Sequence, residues 1–145
     1  MRLVLYALII ISSLLVPVQK MDVAKLEPVE AVYVNKAGNQ IVVSTDTGAY
    51  GSGSNIDEAI VNLRSFTPGI IYLDTADYLL LQNNNAEYII NMRKHMKGGA
   101  KVCIWDGEGE FNEVIRYLSV HKKLPNLKTL DGNQVIPEIK YNKKQ

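Results

Sequence analysis

Thr45 to Ile60 reads TDTGAYGSGSNIDEAI. Three glycines, Gly48, Gly51 and Gly53, stand between a β-branched run and an amphipathic one. Many nucleotide enzymes place a phosphate-binding loop there, because glycine lets backbone amides at a helix N-terminus approach an anion. The details point elsewhere. The Walker pattern requires a lysine before Ser or Thr, and this stretch has none. The dinucleotide pattern G-x-G-x-x-G, begun at Gly51 and Gly53, meets Ile56 where its third glycine belongs. Asp57 and Glu58 already occupy the positive end of the coming helix and would repel phosphate. The stretch therefore reads as an exposed, flexible loop and a helix capped by Ser54, with Asp57 in the capping-box position.

Downstream, Ile56, Ala59, Ile60, Leu63 and Phe66 form one apolar helical stripe, ended by Pro68 and Gly69. Upstream, Ala31 to Thr45 alternates as a β-hairpin, with Gly38 in its turn. Ile70–Leu73 and Tyr78–Gln82 read as strands. AEYIINMRKHMKG, starting at Ala86, reads as a helix burying Tyr88, Ile89, Met92 and Met96, and AKVCIW, starting at Ala100, as a buried strand. EFNEVIRYLSVHKK, starting at Glu110, gives a third helix with Phe111, Val114, Ile115 and Leu118 on its stripe. The signal then weakens to a loose hairpin around Asp131-Gly132. The order ββαββαβα predicts an α/β (α+β) two-layer sandwich, a mixed sheet with its amphipathic helices on one face. Ile60, Leu63, Leu73, Ile89, Cys103, Ile115 and Leu118 form the expected core.

The chain has 145 residues, enough for one domain. Leu3 to Val18 is uncharged and mostly apolar behind Arg2. Residues 1–20 therefore read as an apolar helix, either a signal peptide or a membrane anchor. That places residues 26–122, the small α/β domain, outside the cytoplasm, membrane-anchored or secreted. Cys103 is the sole cysteine, so no intramolecular disulfide forms, and no cysteine after the apolar run offers a lipid attachment point. Residues 1–121 hold 10 Lys/Arg and 13 Asp/Glu; residues 122–145 hold 6 lysines and 2 acids. The basic end, 123–145, reads as a solvated tail. Aromatic and basic residues are not interleaved, so no nucleic-acid partner is expected.

Few residues carry chemistry. His95, between Lys94 and Lys97, reads as part of a solvated face, and His121 lies on another helix. Asp106, Glu108 and Glu110 lack the calcium-loop pattern. Asp74 and Asp77, in apolar surroundings, are the acids best suited to acid–base work, and capping a turn is their commoner use. No cofactor or metal is expected.

The run GSGSNIDEAIVNLRSFTPGIIYLDTADYLLL, through Gly51, Gly53, Glu58, Ala59, Ile60 and Leu63, resembles the N-terminal domain of spore-germinant receptor C subunits. The resemblance extends over Leu26 to Leu118. The family's lipid-bearing cysteine and larger C-terminal domains have no counterpart here. The resemblance implies a non-enzymatic, membrane-associated module on the outer face of a Gram-positive spore-former's membrane, acting in sporulation or germination through a protein partner or self-assembly. The alternative is an extracytoplasmic small-ligand binder or enzyme using Asp74, Asp77 and the Gly48–Ser54 loop.

Overall fold

The structure is a computed structural model that describes residues 26–120, 123–131 and 133–140. The N-terminal apolar helix and His121 lie outside the described residues. Strands β1 (Leu26–Pro28), β2 (Ala31–Ala37), β3 (Gln40–Thr45) and β4 (Tyr50–Gly53) precede helix α1 (Ile56–Phe66). Strand β5 (Ile70–Tyr72), a 3-10 turn (Leu73–Thr75) and β6 (Tyr78–Leu81) lead to α2 (Ala86–Met92). Then come β7 (Lys101–Trp105), α3 (Phe111–Val120) and β8 (Glu138–Ile139).

The main sheet runs β4-β3-β2-β6-β7-β8, and β1 pairs β5 separately. The β2–β3 and β3–β4 pairs are antiparallel; β2–β6, β6–β7 and β7–β8 are parallel. This is the expected mixed α/β fold. The helices, however, divide between both faces. Val32, Val34, Val43, Leu79, Leu81 and Val102 pack with α1 and α2, whose contributions include Ile60, Leu63, Ile89 and Met92. Ala31, Tyr33, Leu80, Cys103 and Trp105 pack with Val114, Ile115 and Leu118 of α3. The expected single core is thus two, and the two layers are three. The reason is legible in β6: YLLL is buried at all four positions, the mark of a strand covered on both sides.

The described part of the expected basic tail, 123–131 and 133–140, packs on the domain. Leu127, Leu130 and Ile136 are buried in the first core, and the Leu127 amide donates to the Ala100 carbonyl at 2.7 Å. Glu138–Ile139 adds the last strand beside β7, and among the described residues no strand pair flanks Asp131. Helix α2 ends at Met92, earlier than its periodicity suggests, and Met96 still reaches the core.

Candidate functional site

The opening glycine stretch is not a loop throughout. Tyr50–Gly53 pairs along β3, with Gly51 opposite Val43 and Gly53 opposite Ile41. Both glycines are buried beneath α1. A Cβ at Gly51 would stand 2.2 Å from the Ala59 carbonyl oxygen and 2.2 Å from the Leu63 amide nitrogen. A Cβ at Gly53 would stand 2.7 Å from both the Ala59 amide nitrogen and Glu58 Cβ. The glycines let the helix backbone lie directly on the strand backbone. The expectation of an exposed loop holds at Thr47, Gly48 and Ser54 and fails at Gly51 and Gly53, where a side chain is excluded. Of the three, only Gly48 takes a positive φ, +87°, in the turn between β3 and β4.

The helix start is also reassigned. It falls within two residues of Ser54, at Ile56, but Asn55 is the cap. Its side-chain oxygen accepts from the Glu58 amide at 2.8 Å. Glu58 reaches back, its carboxylate accepting from the Ser54 amide at 2.8 Å and the Ser54 hydroxyl at 2.5 Å. This is a reciprocal capping arrangement one residue later than Ser54 as cap would give. Those bonds, the hydroxyl's first, hold the Glu58 carboxyl below its ordinary value. Asp57 meets His95 at 2.7 Å, and that bond, with the nearby charges of Lys94 and His95, holds its carboxyl low as well. His95 is therefore tucked between α1 and the end of α2, with its side chain 19% exposed, rather than on a solvated face.

An edge strand with this much glycine leaves a groove beside it. A cleft of about 580 Å³ runs along β4, lined by Gly48, Tyr50, Gly51 and Ser52, by Asn62 and Phe66 of α1, and by Glu27. Tyr50 is 69% exposed and Phe66 is 81% exposed. Thr45 donates its amide to Ala49 at 2.9 Å, which fixes the hydrogen-bonding phase of the β3–β4 ladder. Alternation then turns the amides and carbonyls of Tyr50 and Ser52 away from β3, toward the cleft. The Asn62 side-chain amide donates to the Ser52 carbonyl at 2.7 Å, consistent with that phase.

The candidate site residues separate. Gly48 and Gly51 border the cleft; Gly53 lies under α1, and Ser54 serves Glu58. Asp74 lies in the 3-10 turn beside another depression, and Asp77 pairs with Lys97. Neither acid lines the β4 cleft. Glu27, Asn62 and Phe66 had no signal in the sequence, since tertiary closure brings them to the cleft. Gly51 and Gly53 did carry one: glycine at alternate positions marks one bare face of a strand.

Elsewhere, burial pushes the Cys103 thiol up to about 12, which makes it inert. After β7 the Asp106 carboxylate serves its own turn, accepting from the Glu108 amide at 2.9 Å, and Trp105 Nε1 donates to the Glu108 carbonyl at 2.9 Å. Among the described residues, no group of three or more His, Cys, Asp or Glu side chains is placed to hold a metal. Among them, too, no helix is long and apolar enough to cross a membrane. Comparison with protein-family profiles, curated proteins and solved structures finds no match to this chain.

Proposed function

We propose that this chain is a non-enzymatic interaction module, held at the outer face of a membrane by its N-terminal segment, that docks an extended segment of a protein partner along β4. The observation that carries the docking is the edge position of β4, which among the described residues pairs with β3 alone, with the Tyr50 backbone groups and the Ser52 amide turned into a cleft rimmed by Tyr50 and Phe66. Adding a strand to an exposed edge gives affinity through main-chain hydrogen bonds and specificity through flanking pockets. Exposed aromatics are the usual anchors of such contacts. The apolar run Leu3–Val18 supports the membrane location. The resemblance to germinant receptor C subunits supports a role in sporulation or germination. The cleft's volume also suits a small ligand, which keeps the binder reading as the alternative.

Ser52→Pro tests the docking. Proline is tolerated on an edge strand where the amide faces away from the ladder. The substitution should leave the fold intact while deleting one outward donor. With photocrosslinkers at 50 and 66 in the full chain in its own cells, a discrete protein adduct is expected from both positions and not from 120. Ser52→Pro should abolish the adduct. An adduct that persists at full yield in a folded Ser52→Pro chain rules out strand addition.

A further inference from the structure

The small ladder β1–β5 carries a pattern unlike a solvent-facing sheet. It is parallel, with Leu26 opposite Ile70, Glu27 opposite Ile71 and Pro28 opposite Tyr72. Paired positions share a face and successive residues alternate. One face therefore presents Leu26, Pro28, Ile70 and Tyr72. Pro28 is exposed, Ile70 is 47% exposed, Tyr72 is 37% exposed and Leu26 is half-buried. The opposite side of β5 places Ile71 in the core. A sheet face turned to water ordinarily alternates to polar residues. Here all four outward positions are apolar. A contiguous exposed apolar face marks a contact surface.

The sequence specifies what that surface meets. Residues 19–25 are all that separates Val18, the end of the apolar run, from Leu26, the first residue of β1. Even fully extended, that connection reaches at most about 30 Å, no more than the width of a domain this size. The ladder is thus tethered within about 30 Å of the apolar run by its own first residue. Lys20 and Lys25 lie in the connecting sequence, and Arg64 borders the depression beside β5 together with Asp74. Tyrosine with flanking basic residues is the composition of a bilayer interface, where the ring meets the acyl boundary and the cations meet anionic headgroups.

We propose that the Leu26, Pro28, Ile70 and Tyr72 face rests on the membrane interface and fixes the domain's orientation on the bilayer. The inference rests on the membrane-anchored part of the proposed function but is independent of strand docking at β4.

The inert, buried Cys103 makes the test clean, because an introduced cysteine is labelled selectively. The full chain would be reconstituted into phosphatidylethanolamine–phosphatidylglycerol vesicles after Ile70→Cys, Tyr72→Cys or, as reference, Val120→Cys on α3, each carrying an environment-sensitive fluorophore. Blue-shifted emission that shallow nitroxide lipids quench at 70 and 72, with 120 unquenched, is the expected result. A vesicle-bound chain with 70 and 72 no more quenched than 120 overturns the proposal and leaves the anchor reading standing. Labels at 70 and 72 that are blue-shifted but unquenched mean that the face meets protein, possible self-association included, and also overturn it. A chain that does not sediment with vesicles overturns both.

Discussion

Strand β3 has glycine on two sides, and the two sides use it for opposite reasons. At the β2–β3 turn, Gly38 has φ +61° and open space where a side chain would go. There the backbone conformation is special and the surroundings are not. Across the sheet, Gly51 and Gly53 have no positive φ but no room for a single carbon. In one region glycine bends the chain. In the other it lets α1 lie against β4, and the bare strand leaves the groove that we assign to a partner. A glycine-rich stretch in a sequence is thus two different physical statements, told apart by spacing: a lone glycine between strands, or glycines at i and i+2 within one.

Gly51→Ala tests the second kind hardest. The atoms in the way are backbone atoms of Ala59 and Leu63, which cannot rotate aside. The loss should exceed the roughly 1–3 kcal/mol usual for an added methyl in a packed interior. Chemical denaturation measures it. A loss under about 0.5 kcal/mol, ordinary for a surface site, would mean that α1 does not seat on β4. From the helix side, Leu63 is fully buried at the same contact, and Leu63→Ala should cost about 2–5 kcal/mol.

The first kind should respond less and in a different order. Gly38→Ala should cost about 1–2 kcal/mol through conformation alone. Gly38→Asn should cost less than Gly38→Ala, because asparagine tolerates a left-handed backbone. At position 51 the order reverses, since the larger side chain only worsens the overlap. Melting curves of the four variants, Gly38→Ala, Gly38→Asn, Gly51→Ala and Gly51→Asn, decide it. The same rank order at both sites would dissolve the distinction.

The distinction also shows what was legible in the sequence. Strands β2, β3 and β7 and all three helices follow from periodicity, because amphipathic faces had to be buried. Cys103 was legible as a buried thiol for the same reason. Strand β4 was not, because glycine is depleted in strands and its place here comes from a helix lying on it. The split of helices between two faces was written in the uninterrupted apolar run of β6, yet periodicity does not say which face each helix takes. Strand β8 has two residues and forms only because β7 offers an open edge. Of the candidate site, Gly48 and Gly51 were legible. Glu27, Asn62 and Phe66 come from distant stretches and meet only once the chain is closed.

If the seat of α1 on Gly51 and Gly53 matters, the first turn of the helix must be held in place. Asn55 supplies the cap, so Asn55→Ala should cost about 0.5–2 kcal/mol in thermal or urea unfolding. Ser54→Ala should cost less, because Ser54 is exposed and its hydroxyl bonds only exposed side chains, donating to the Glu58 carboxylate and accepting from the Asn55 amide at 3.4 Å. Equal losses at the two positions would contradict the Asn55 cap.

The smallest effects are electrostatic, and they separate the two acids of that turn. Hydrogen bonds hold both the Asp57 and Glu58 carboxyls below their ordinary values of 3.8 and 4.5, helped at Asp57 by the charges of Lys94 and His95. A carboxyl lowered on folding stabilises the fold above its unfolded value, and the gain is lost as pH falls through the folded value. These interactions therefore hold at neutral pH and fade below about pH 4. The two acids have different partners: His95 across the helix pair for Asp57, and Ser54 in the cap for Glu58. Carboxyl NMR titrations should accordingly show His95→Ala raising Asp57 while leaving Glu58, and Ser54→Ala raising Glu58 while leaving Asp57. If His95→Ala moved neither, the Asp57–His95 bond would be absent in solution, and the cap, the glycine seat and the buried Ile60 and Leu63 would hold the helix without it.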